Sequence, residues 1–176
     1  MRVDKHAWPI KVFILAILSL TLTACGFQLR GVGDNAAQLP EEWKSMHLVT
    51  GNPNGEFSRE VSGRFAAQGI EWTDRQSANF LLTLGPEQFS QRNLSLNSEA
   101  RVAEFELTMR AKFSVTDASN QVVIETTDVT TIRQMENDPR NVVGKAEEIR
   151  ILKAEMRADL ARQIMRRIGF FATSSG

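Results

Sequence analysis

The 176-residue sequence predicts an α+β fold: a two-layer sandwich in which a four-stranded mixed sheet, in chain order β-α-β-β-β-α, carries two helices on one face. Three observations predict it. Residues 102–115 alternate apolar and polar side chains, the period-two signature of a half-buried strand. Residues 56–68 and 146–168 instead place apolar side chains every three or four positions, one stripe per helix. The first helical stretch lies between short apolar runs at 46–50 and 80–84, which makes a β-α-β unit; such crossovers are right-handed in nearly all cases.

Taken in order, residues 27–40 read as a connector, because Gly31, Gly33, Asp34, Asn35 and Pro40 break regular structure. Residues 46–50 form a strand ahead of the turn-rich Gly51-Asn52-Pro53-Asn54-Gly55. His47 lies in that strand and reads as a structural residue, since no cysteine or second histidine is available to complete a metal site with it. The helix at 56–68 repeats Phe57, Val61 and Phe65, and Gly69 follows as its stop. Residues 70–74 read as a link to the strand at 80–84, which Gly85-Pro86 bends or ends because proline is excluded from a central ladder. Residues 88–97 resume the strand with polar alternation.

On the long strand, Ala103, Phe105, Leu107, Met109, Ala111, Phe113 and Val115 point to the core, while Val102, Glu104, Glu106, Thr108, Arg110, Lys112 and Ser114 point away. A turn at 117–121 leads to a β-branched strand at 122–133, whose alternation slips near Asp128-Val129 and predicts a bulge or an edge there. Glu136-Asn137-Asp138-Pro139 is a loop by its turn residues. The helix at 146–168 carries Ile149, Leu152, Met156, Leu160, Ile164 and Ile168, and Gly169 is expected to stop it. Glu147 and Glu148 near its start and Arg162, Arg166 and Arg167 near its end suit the helix dipole. The Arg166-Arg167 pair reads either as a lipid-phosphate contact or as a dipole-matched solvated face, the second being simpler.

The N-terminus sets the compartment. Arg2, Lys5 and Lys11 precede an apolar run at 12–22, the basic start and short apolar middle of a secretory signal. The run is too short to span a bilayer, which takes about 20 apolar residues. It ends in Leu22-Thr23-Ala24-Cys25, which resembles the bacterial lipobox. That resemblance implies cleavage before Cys25 and a diacylglycerol thioether with an N-acyl chain on it, chemistry that suits the nucleophilic thiolate. Two or three acyl chains anchor a domain firmly where one binds only marginally. Gly26 stands where an aspartate would favour inner-membrane retention, so the resemblance implies the outer membrane. The chain then divides into residues 1–24 (signal peptide, removed), 25–40 (lipidated N-terminus and connector), 41–171 (the α+β domain) and 172–176 (a polar tail).

Composition narrows the function. Removing the signal leaves about 152 residues, one domain's worth, with 18 basic and 20 acidic side chains. That balance gives no basic footprint for nucleic acid. The single cysteine excludes an internal disulfide, and His47 is the only histidine after the signal, which leaves little for acid–base catalysis. Glu104 and Glu106 share a strand face at period two and read as solvated rather than as a catalytic pair. No Gly-x-Ser-x-Gly turn or metal-spaced cluster appears. No enzyme, metal or other cofactor is expected.

Beyond the lipobox, several motifs point one way. Cys25-Gly26-Phe27-Gln28-Leu29-Arg30 opens the chain, Asn52-Pro53-Asn54-Gly55 is followed by Ser58-Arg59, Ala103-Glu104-Phe105 opens the long strand, and an acidic–amide pair precedes Pro139. Together with the element order, these motifs resemble the lipopolysaccharide-assembly lipoprotein family LptE (RlpB) over essentially the whole mature chain; Asn137-Asp138 reverses the family's order at the loop. The resemblance implies a partner, the outer-membrane β-barrel LptD, which the domain plugs and helps to fold. It also implies a second ligand, lipopolysaccharide, delivered to the outer leaflet. Lys145 matches a basic position just after the family's proline loop, and Arg101 lies near the start of the long strand; both are candidate contacts to lipopolysaccharide phosphates. The rival reading is an outer-membrane lipoprotein that regulates a periplasmic cell-wall enzyme. The short connector argues against it, because such regulators reach across the periplasm on long tethers.

Overall fold

A computed structural model describes residues 39–96, 98, 102–137 and 142–174. After a 3-10 turn at Glu41–Lys44 come β1 (Ser45–Thr50), α1 (Glu56–Ala66), β2 (Glu71–Trp72), β3 (Phe80–Leu84), β4 (Gln88–Leu96), β5 (Val102–Asp117), β6 (Val122–Glu136) and α2 (Val142–Ser174). The α+β class stands as expected, but the sheet has six strands rather than four. β1 runs parallel to both β2 and β3. β3, β4 and β6 are all antiparallel to β5.

The two extra strands have separate physical origins. β2 is a two-residue edge that exists through its pairing with Ser45 and Met46, and nothing in its own sequence announces it. β4 is the resumption of β3 along the same edge of β5. β3 pairs residues 113–117 and β4 pairs residues 102–110, while β6 occupies the other edge. Between them, residues 85–87 oppose only Ala111 and Lys112, so one residue is extra and the strand bulges. The Gly85 N–H donates to the Lys112 carbonyl at 2.9 Å, and a Cβ on Gly85 would meet that oxygen at 3.3 Å. Pro86 has no N–H to pair, which makes this the natural place for the break.

β5 follows its alternation. Phe105, Leu107, Met109, Ala111, Phe113 and Val115 are buried, and the opposite set is half-buried or exposed; only at the strand's start does the pattern blur, where Ala103 is half-buried and Val102 packs against the core. In β6 the register slips across residues 122–127, opposite Phe113 to Thr116, rather than at Asp128-Val129 as the pattern predicted. Val129 is fully buried opposite Ala111, so the ladder is regular where the break was expected. The β-branched run of β6 obscures which side chains face inward, and only the partner strand locates the bulge.

Both helices cover the buried face. Phe57, Val61 and Phe65 of α1 join Met156, Leu160, Ala161, Ile164, Ile168 and Ala172 of α2 in a single core with Met46, Leu82, Leu107 and Phe113. Each such large side chain contributes about 1.5–3 kcal/mol on burial. His47 Nδ1 donates to the Thr73 carbonyl at 2.8 Å, holding the chain just beyond β2, which is the structural role its strand position predicted.

Two glycines that look alike in sequence behave differently. Gly69 terminates α1 with φ +85°, and the Ile70 and Gly69 N–H groups donate back to the carbonyls of Phe65 and Ala66 at 3.1 and 3.0 Å. Gly169 does not stop α2, which continues to Ser174 with Ala172 buried. Here core packing of the last turns outweighs one glycine's propensity. Gly69→Ala should therefore lose about 1 kcal/mol for the left-handed backbone. Gly169→Ala, whose new methyl meets nothing within 4 Å, should gain about 0.5–1 kcal/mol. Urea midpoints moving in opposite directions would verify this.

Candidate functional site

At the end of the domain where α2 begins, Asn137 follows β6 and closes it onto β5. Its N–H donates to the Ala103 carbonyl at 2.8 Å and its side-chain amide to the Val102 carbonyl at 2.7 Å. The remaining Asn137 Oδ1 accepts from Lys145 Nζ at 2.7 Å, and that ammonium stands 4.0 Å from the centroid of the Phe105 ring. Lys145 is thus held by one hydrogen bond and a cation–π contact. An ammonium has three donors, so this clasp leaves donor capacity on a fixed, half-buried cation that suits a phosphate oxygen. Arg101 and Cys25, the other two candidate residues, lie outside the described residues. Asn137 was legible only as a loop residue and Phe105 only as core, because their part in the clasp depends on bringing positions 105, 137 and 145 together.

The sheet face away from the helices is largely polar and partly ion-paired, with the half-exposed Ile132 opposite Thr108 as its apolar exception. Arg92 donates to both Glu106 carboxylate oxygens, at 2.6 and 3.0 Å, and Ser95 donates to Glu104 at 2.8 Å. Hydrogen bonding from Arg92 holds the Glu106 carboxyl below the ordinary carboxylate range. Lys112 and Asp128 face each other at 3.6 Å. Arg110, exposed between the cross-strand positions Gln88 and Thr130, lines a shallow cleft of about 430 Å³.

On the helix side, a cleft of about 680 Å³ opens between the β1–α1 turn and the β3–β4 break, lined by Thr50, Asn52, Gly55, Glu56, Pro86 and Glu87. Its two carboxylates are engaged by Arg157, which reaches Glu56 at 2.7 Å and Glu87 at 2.8 Å. The hydrogen bond to Glu87 raises the Arg157 pKa above its ordinary value. The arrangement is a clamp between layers rather than an acid–base pair. Among the described residues no cluster of histidine, cysteine and carboxylates is disposed to hold a metal, and no helix is long and apolar enough to cross a membrane.

The fold and the polar face define a small α+β domain of a kind already known among bacterial lipoproteins. It is similar to rare lipoprotein B from Shewanella oneidensis, with a TM-score of 0.66 and 24% identity over 73% of this chain and 96% of that one. It is also similar to uncharacterized lipoprotein B from Nitrosomonas europaea, with a TM-score of 0.69 and 21% identity over 84% and 93% of the two chains. These likenesses speak to the fold alone. The family follows from sequence: the lipopolysaccharide-assembly model LptE matches residues 43–168, and the chain belongs to that family. Among curated relatives, the LPS-assembly lipoprotein LptE of Photorhabdus laumondii is 25% identical over 160 residues, covering 90% of this chain and 85% of the relative. The protein of the same name from Yersinia pestis strain Pestoides F is 24% identical over 162 residues, covering 90% and 75%. Its work therefore lies in lipopolysaccharide assembly.

Proposed function

We propose that the chain is an outer-membrane lipoprotein, anchored through acyl chains on Cys25 after removal of residues 1–24, that plugs and supports folding of the LptD β-barrel and assists delivery of lipopolysaccharide to the outer leaflet. The observation that carries this reading is the family match across residues 43–168. Two features of the geometry agree with it. A largely polar, partly ion-paired sheet face suits the polar interior of a wide barrel. The Lys145 clasp and the entry of the chain at Leu39 and Trp43 stand at opposite ends of the domain. Trp43 meets Phe171 near the end of α2, and Lys145 lies in its first turns. At about 1.5 Å per residue the two ends are about 40 Å apart, more than the roughly 25 Å apolar height of an outer-membrane barrel. An anchor at the inner leaflet would then leave Lys145 far across the membrane. In this reading Lys145, with Arg101, contacts lipopolysaccharide phosphates, and the chain works by binding rather than catalysis.

The test of the barrel partnership is purification of the tagged, lipidated protein in mild detergent. A stoichiometric complex with one large outer-membrane β-barrel is expected; recovery of the protein alone, or with a soluble periplasmic enzyme, overturns the plug reading. The lipopolysaccharide contact is tested separately. Lys145→Glu should weaken lipopolysaccharide binding by about ten-fold or more, the scale of one charge-assisted hydrogen bond, while the barrel complex still forms. Lys145→Met, which keeps a long side chain over Phe105, should lose affinity without a matching fall in thermal stability. Unchanged binding by either purified variant removes Lys145 from the site.

A further inference from the structure

The extension of α2 past Gly169 changes what Arg166 and Arg167 do. A helix ending at 168 would place both arginines in its last turn, where the dipole explains them. The helix instead runs to Ser174, and its last turn contains no basic residue. One turn beyond the pair stands Phe170, 77% exposed and the most exposed large apolar side chain among the described residues. Arg166 and Arg167 lie four and three positions before it, the spacings that bring side chains onto one helical face. Arg166 is exposed and has no hydrogen-bond or ion-pair partner among the described residues, while Arg167 donates only to the Asp128 carbonyl at 2.9 Å. Residues 160–174 carry three arginines and no carboxylate side chain. Of the three, only Arg162 has a carboxylate partner, Asp159, which it shares with Arg133.

We propose that this face of α2, formed by Phe170 with Arg166 and Arg167, docks on an anionic phospholipid surface. An aromatic ring beside arginines that have no carboxylate partner is the chemistry of an interfacial contact: the ring enters the headgroup boundary and the cations meet phosphates. The anchor selects a bilayer as the occupant. Cys25 precedes Leu39 by 14 residues, a reach of at most about 50 Å. Leu39 and Trp43 are buried, and Trp43 meets Phe171 edge-on at 6.3 Å, so the patch belongs to the end by which the chain enters the domain. The orienting role of the patch rests on lipidation of Cys25, whereas its affinity for an anionic surface does not. Because acyl chains already supply the anchoring, the patch sets orientation, turning the Lys145 end away from the surface.

The test uses the full lipidated chain, its mass confirming the acyl chains, on vesicles of phosphatidylcholine with or without phosphatidylglycerol. A polarity-sensitive fluorophore is attached through Ser174→Cys, one turn beyond Phe170, or through Asn93→Cys at the opposite end. The expected result is a several-fold rise and blue shift of emission at position 174 on vesicles containing the anionic lipid, with position 93 unchanged. Phe170→Ser and Arg166→Glu should each reduce the signal at 174 to that at 93 while the chain remains vesicle-bound. Aqueous emission at 174 from a lipidated, vesicle-bound chain overturns the proposal. A mass lacking acyl chains overturns the anchoring reading instead; a lipid-dependent rise at 174 on adding vesicles to that soluble chain would still support the patch.

Discussion

Trp43→Ala should lower the unfolding free energy by about 3–5 kcal/mol, the range for truncating a buried aromatic side chain. Trp43 is 3% exposed, stacks on Phe80 with ring centroids 4.0 Å apart and planes 14° from parallel, and meets Phe171 at 64°. Three elements therefore meet on one indole: the 3-10 turn, the first residue of β3 and the end of α2. The turn is tight, with the Trp43 N–H donating to the Pro40 carbonyl at 2.8 Å, so its backbone cannot readily follow the retreating side chain. Trp43→Phe keeps an aromatic face against Phe80 and should restore more than half of the loss. Hydrogen exchange distinguishes this from a diffuse loss of stability. In Trp43→Ala the amides of residues 168–174 should exchange faster than those of 156–164, because the last turns of α2 lose the contact that holds them beyond Gly169.

Trp43 also shows where sequence reading ended. It fell between a connector and a strand, and no periodicity reaches a lone aromatic in a four-residue turn. By contrast, β5 was readable residue by residue, because a strand half-buried along its length encodes its two faces in alternate positions. The apolar stripes of both helices were equally plain. What stayed hidden depended on partners. β2 exists through β1, the identity of β4 as a continuation of β3 depends on a shared neighbour, and the bulge of β6 is defined against β5. Gly169 misled because a stop signal is a local preference of about 1 kcal/mol, and buried Ile168 and Ala172 on either side outweigh it. The candidate site divides the same way. Cys25 is nominated by the residues that precede it, and Lys145 only by family resemblance, since a lone lysine near a loop has no pattern of its own. The clasp that fixes Lys145 needs Asn137 and Phe105, 8 and 40 positions away in sequence.

Arg157→Ala should cost about 1.5–3 kcal/mol, most of it from one partner. The guanidinium is 14% exposed and donates through Nε to both oxygens of Glu87, at 2.9 and 2.8 Å, while Nη1 reaches Glu56 at 2.7 Å. Glu56 is 64% exposed, so its pairing is worth little, as for most surface ion pairs. Glu87 is 25% exposed and follows Pro86 at the break between β3 and β4. Removing the arginine leaves that carboxylate partly desolvated without its donor, and hydrogen bonds to charged groups are worth about 1.5–3 kcal/mol. The double variant Arg157→Met with Glu87→Met separates this penalty from the value of the pair. Replacing both partners by apolar groups of similar size leaves nothing unsatisfied, so the double variant should recover more than half of the single variant's loss in urea unfolding. A double variant as unstable as Arg157→Ala would mean instead that the bulge at 85–87 is held open by the charged pair itself. In that case the break that turns one strand into β3 and β4 depends on α2 for its geometry, and the cleft beside it would collapse with the arginine gone.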